Sequence, residues 1–68
     1  MKQVSGRDLA KLIQRRGWTL ARIKGSHHIF THPDHRERIV IPIHGNAPLK
    51  TGLLRSLMKI AALSEADL

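Results

Sequence analysis

Cysteine is missing from this chain. That excludes a disulfide framework, a thiolate zinc site and a cysteine nucleophile, and it fits a reducing compartment. Acidic residues are scarce, five against 12 lysines and arginines, and no two carboxylates are paired for general acid and base work: Asp34 and Glu37 fall in a predicted loop, beside Arg36 and Arg38. Aromatic residues number two, Trp18 and Phe30. Both are expected in the core, which leaves no stacking platform for single-stranded bases. The longest apolar runs, such as Ile39 to Ile43, are far short of the roughly 20 residues of a membrane span, and Met1-Lys2-Gln3 opens no secretory signal. The expectation is a soluble, cytoplasmic protein with no membrane association, monomeric when free. Five Gly and three Pro against a hydrophobic fraction of 41% do not describe a disordered chain. A 68-residue chain has room for a single domain, 1–68, because folding at this size removes only about 60% of the unfolded surface from water.

What is abundant is positive charge, a net +7 that is unevenly distributed. Residues 1–24 hold seven bases (Lys2, Arg7, Lys11, Arg15, Arg16, Arg22, Lys24) against Asp8, whereas Glu65 and Asp67 make the C-terminus negative. A field of that size on a small domain favours a polyanion through counterion release and steering, and nucleic acid is the first expectation. A merely solubilising cationic surface is the plainer alternative.

Val4-Ser5-Gly6-Arg7-Asp8-Leu9 reads as a helix start, with Ser5 as N-cap, Asp8 in the first turn and Val4 stapled to Leu9. The helix is expected over about 6–16, with Leu9, Leu12 and Ile13 as its apolar stripe and Arg7, Lys11, Arg15 and Arg16 largely on the wet side. Gly17 supplies the left-handed C-terminal residue, followed by Trp18. Three strands follow: Trp18 to Ile23, His27 or His28 to His32, and Arg38 to Ile41, separated by the turns Lys24-Gly25-Ser26 and Pro33-Asp34. After a Gly/Asn/Pro loop, Leu53, Leu54, Leu57, Met58, Ile60 and Ala61 predict a second helix to Ala62. Leu12 and Leu57 are placed at the centres of the two stripes. The order α-β-β-β-α, in which both helices need the same sheet face, is that of an α+β, double-stranded-RNA-binding-like fold with a three-stranded antiparallel sheet.

All five histidines (His27, His28, His32, His35, His44) lie between Gly25 and Gly45. Neighbours on a strand point to opposite faces. If Phe30 faces the core, His28 shares its side, partly buried against a backbone carbonyl, and His27 takes the open face. An imidazole beside Lys24 and Arg22 can take a proton from a ribose 2′-hydroxyl while a cation stabilises the charge building on phosphorus oxygens. A metal site at His28, His32, Asp34 and His35 is disfavoured, because a spacing of four aligns ligands on a helix but not on a strand ending at Pro33.

Gly17-Trp18, Lys24-Gly25-Ser26-His27-His28-Ile29-Phe30, Ile41-Pro42-Ile43-His44-Gly45 and Gly52-Leu53-Leu54-Arg55-Ser56-Leu57, in this order, resemble the HicA toxins, small mRNA interferases of bacterial toxin-antitoxin pairs. The resemblance runs from Ser5 to Leu63. It implies the double-stranded-RNA-binding-like fold, metal-independent cleavage of mRNA without a cofactor, neutralisation by a HicB-like antitoxin, and His27 as the catalytic residue presented by the Gly25-Ser26 turn. Arg22, Lys24 and His44 are expected at the phosphate, and Arg7, Lys11 and Arg15 elsewhere along the RNA. One departure is Ala62, where the family often has Gly, which bears on the end of the second helix. The rival readings are a non-catalytic RNA-binding module and a basic protein whose partner is an acidic protein.

Overall fold

In the computed structural model, which describes residues 2–68, the chain runs through helix α1 (Gly6–Arg15), strands β1 (Thr19–Lys24), β2 (His27–His32) and β3 (His35–Pro42), helix α2 (Thr51–Ile60) and a closing 3-10 turn at Glu65–Asp67. The α-β-β-β-α order expected from the sequence is the order observed. Ser5 caps α1: its Oγ accepts the Asp8 N–H at 3.1 Å, which satisfies one of the free donors of the first turn. Arg16 is the C-cap. The helix then closes with two reversed bonds, Gly17 N–H to Gln14 O at 3.2 Å and Trp18 N–H to Ile13 O at 3.1 Å, while Gly17 adopts φ +97; this is a Schellman motif. Glycine is needed there twice over, because a Cβ on Gly17 would also come 2.8 Å from His32 Nε2.

Helix α2 ends by the same device one residue off the usual chemistry. Ala62 donates to Lys59 O at 3.2 Å and Leu63 to Met58 O at 2.8 Å, with Ala62 itself in the left-handed region at φ 57. The alanine leaves the helix end unchanged in form and costs stability, since its Cβ meets the following carbonyl in that conformation.

The strands form one antiparallel sheet in the order β1-β2-β3. Gly25 and Ser26 are the two-residue loop of the first hairpin, flanked by the Lys24↔His27 pair, and Gly25 takes φ +60, as the first loop position of a II′ turn requires. The third strand is longer than its apolar alternation suggested. It starts at His35, paired with His32, so Glu37 lies on a strand and only Asp34 of the two carboxylates is in the turn. His35, Arg36 and Glu37 carry no apolar alternation and extend the hairpin past the core.

Both helices pack over β3 on one face of the sheet. The core joins Leu9, Ala10 and Ile13 of α1, Phe30, Ile39 and Ile41 of the sheet, and Leu54, Leu57 and Met58 of α2, with Val4, Trp18, Leu49 and Ala61 around them. Leu57 is buried as expected, but Leu12 is only partly so. The reason is rotational: Gly6, Leu9, Ala10 and Ile13 point at the sheet, which turns Leu12 to the flank of the stripe. Gly6 fits this close approach, since a Cβ there would lie 2.5 Å from Pro42 O. Among the described residues no helix is long and apolar enough to cross a membrane.

Candidate active site

Cross-strand partners share a sheet face, and the register therefore states which side chains stand beside His27. His27 is flanked by Lys24 on β1 and Pro42 on β3. The neighbouring row on the same face is Arg22, Ile29 and Val40. Phe30, paired with Ile39, faces the helices, so the His27 row belongs to the open face. His27, Lys24 and Arg22 are all exposed. The result is an imidazole with Lys24 directly opposite and Arg22 diagonally across on the adjacent row of the same face.

Strict alternation would not assemble that trio together with a core-facing Leu20. Leu20 pairs with Phe30 and Arg22 with Ile29, and the register shifts between them. This β-bulge inserts one residue, Ala21, and thereby flips the second half of β1. Leu20 stays on the helix side while Arg22 and Lys24 turn to the open side and Ile23 joins the row of His28 and Ile41.

His28 sits where alternation puts it, half-buried, with Nδ1 3.2 Å from Ser26 O. A carbonyl can only accept, so Nδ1 carries the hydrogen. Ser26 O also accepts the Ile43 N–H at 2.8 Å. The bond from Ile43 ties the turn that precedes His27 to the segment that follows β3, while the bond from His28 braces that turn locally. The Ile43 tie brings His44, exposed in that segment, to the same end of the sheet as Gly25 and Ser26. Arg7 reaches this end from α1, donating to Asn46 Oδ1 at 3.3 Å.

Lys11 and Arg15 are not part of this assembly. Because α1 buries Leu9 and Ile13 against the sheet, its opposite side looks away from the sheet altogether. There Lys11 and Arg15, with Lys2, Asp8, Leu12 and Leu68, line an open cleft of about 310 Å³. The expected binding residues thus divide between two sides of the molecule, with His27, Lys24 and Arg22 on one and Lys11 and Arg15 on the other. Beside the cleft, Arg16 donates to Asp67 Oδ1 at 2.8 Å. The Ser64 N–H, 2.8 Å from Asp67 Oδ2, together with Arg16, holds that carboxyl below the ordinary carboxylate range.

The remaining histidines are structural in their contacts. His32 Nδ1 accepts the Asp34 N–H at 3.0 Å and its Nε2 lies 3.1 Å from Arg16 O, which requires the neutral Nε2–H tautomer. Its ring packs against Trp18 and His35, with centroids 5.2 and 4.8 Å away. With both nitrogens engaged, His32 has no lone pair to offer a metal, and among the described residues no three His, Cys, Asp or Glu side chains gather where one could be held. The aromatic cluster of Trp18, His32 and His35 had no signal in the sequence, because it is made by a hairpin extension without apolar pattern.

No curated protein matches the chain. The sequence model of the family described as "HicA toxin of bacterial toxin-antitoxin" matches residues 6–63.

Proposed function

The chain belongs to the HicA toxin family of bacterial toxin-antitoxin systems, and from that premise we propose that it is a metal-independent endoribonuclease acting on mRNA, with His27 as its catalytic residue and a HicB-like protein as its antitoxin. The observation that carries the reading is the open-face row of His27 and Lys24 with Arg22 beside it. An imidazole is the side chain whose ordinary pKa lies nearest neutrality, so it can both take and return a proton there. His27 removes the proton of a ribose 2′-hydroxyl. The 2′-oxygen bonds to the adjacent phosphorus, the bond from phosphorus to the 5′-oxygen breaks, and the imidazolium returns its proton to that leaving oxygen. The products are a 2′,3′-cyclic phosphate and a free 5′-hydroxyl, with no cofactor consumed. Lys24 and Arg22 neutralise the non-bridging oxygens, whose charge grows in the transition state. Gly25 and Ser26 hold the turn that presents the imidazole, and His44 lies at the same end to contact the strand.

Ribose supplies the nucleophile in this scheme, which makes RNA the substrate and DNA inert. Incubation of the purified protein with RNA in excess EDTA tests it. The expected result is cleavage to cyclic-phosphate ends, abolished in His27→Ala with RNA binding retained. Cleavage that stops in EDTA and returns with one divalent metal, or an active His27→Ala, overturns it. Binding without any cleavage would leave an RNA-binding module.

A further inference from the structure

The two edges of the sheet are unequal. On β3 the helix-side residues Ile39 and Ile41 are fully buried beneath α1 and α2. On β1, every residue is exposed. Leu20 and Ile23 continue the buried rows of Phe30–Ile39 and His28–Ile41 out to the edge, yet they remain 37% and 55% exposed because no helix reaches over them. The core therefore ends in an apolar step, next to a strand whose outer N–H and C=O groups have no neighbour in the sheet. On the other face of this same strand stand Arg22 and Lys24.

We propose that β1 is a docking edge for a strand of another protein that is apolar on one face and acidic on the other. Opposite the regular run Arg22-Ile23-Lys24 such a strand would place an acidic residue, an apolar residue and a second acidic residue. The apolar side chain extends the row of Ile23, His28 and Ile41, and the two carboxylates pair with Lys24 and Arg22. A second copy of this chain does not fit the edge, because antiparallel pairing of β1 with itself sets the Arg22 and Lys24 side chains of two molecules against each other. The bulge at Ala21 also limits straight pairing to a short stretch, which favours a partner whose side chains add to the backbone bonds. The inference stands on the exposure, register and charge of β1, and holds whether or not His27 is catalytic.

The test is a titration of the isotope-labelled protein with a short capped peptide alternating glutamate and valine, followed by amide and methyl shifts. Its glutamine-for-glutamate counterpart serves as control. Shifts are expected at the β1 amides and at the Leu20 and Ile23 methyls, with slowed exchange of the outward β1 amides. The glutamine peptide should bind about tenfold more weakly, as the loss of two exposed ion pairs gives. Ile23→Ser, a change at an exposed site that leaves the fold intact by circular dichroism, should weaken binding of the glutamate peptide. Shifts confined to α1 around Lys11 and Arg15, equal binding of both peptides, or β1 shifts that follow protein concentration without peptide would each overturn the proposal.

Discussion

His27 and His28 are adjacent in sequence and opposite in consequence. His27 is exposed on the open face and, among the described residues, its ring makes no hydrogen bond, so His27→Ala should change stability by less than about 0.5 kcal/mol. The same substitution should lower RNA cleavage by roughly 10² to 10⁴, the usual worth of one positioned proton carrier. His28→Ala removes a half-buried ring and its bond to Ser26 O and should cost about 1–2 kcal/mol. Thermal melts and cleavage of one RNA, measured on both variants, check the pair; a destabilised His27→Ala beside an unaffected His28→Ala would reverse the faces of β2. Ala62 offers a change of the other sign. In the left-handed conformation its Cβ costs about 1–2 kcal/mol, of which the greater freedom of glycine in the unfolded chain takes back about 0.4–1 kcal/mol. Ala62→Gly is therefore expected to stabilise by about 0.5–1 kcal/mol, read as a rise in melting temperature.

At the scale of elements, α1 depends on Leu9 rather than on the Leu12 that its spacing put at the centre, while α2 depends on Leu57 as expected. Leu9 is fully buried and Leu57 nearly so, and replacing either with alanine should cost about 2–5 kcal/mol. Leu12, on the flank of α1, should cost clearly less, and melts of the three variants rank them. The C-terminal turn is attached to α1 by Arg16 and Asp67. Because hydrogen bonds from Ser64 and Arg16 lower the Asp67 pKa, its contribution is fully present above the ordinary carboxylate range and is lost as pH falls through the lowered value. Both groups are open to water, so the contribution is small and screened by salt. The expected signs are an Asp67 carboxyl shift that titrates at lower pH than an unstructured aspartate, and an acid titration of the turn that Asp67→Asn removes. A carboxyl titrating in the ordinary range would show that the turn is not held this way.

Over the whole molecule, the net charge of +7 is carried on both sides of the layers, and only one side holds His27. In the double variant Arg22→Ala/Lys24→Ala the slope of log affinity against log salt for single-stranded RNA should shrink by roughly 1.4, about 0.7 for each phosphate that is no longer neutralised. Cleavage should fall with it. Lys11→Ala/Arg15→Ala should leave the cleavage rate of a short RNA nearly unchanged, because those side chains face away from the sheet. Equal losses from both double variants would mean that the RNA wraps the whole domain.

Element order was legible in the sequence because it rests on local chemistry: Ser5 and Asp8 open a helix, Gly17 and Gly25 take the left-handed positions, and Pro33-Asp34 turns the chain. The faces of β2 were legible for the same reason, since a single buried Phe30 sets the side of every residue on a regular strand. Three features were decided only by the tertiary structure. The bulge at Ala21 brings Arg22 to the face of His27, and alternation read over six residues cannot locate an inserted one. Division of the cations between two sides follows from the rotation of α1, which is set by packing against Pro42 and Ile43 as well as by its own stripe. Exposure of Leu20 and Ile23 follows from both helices settling over β3; two helices of ten residues each cover two strands and leave the third bare. Each of these depends on contacts between segments far apart in the chain, which no local pattern encodes.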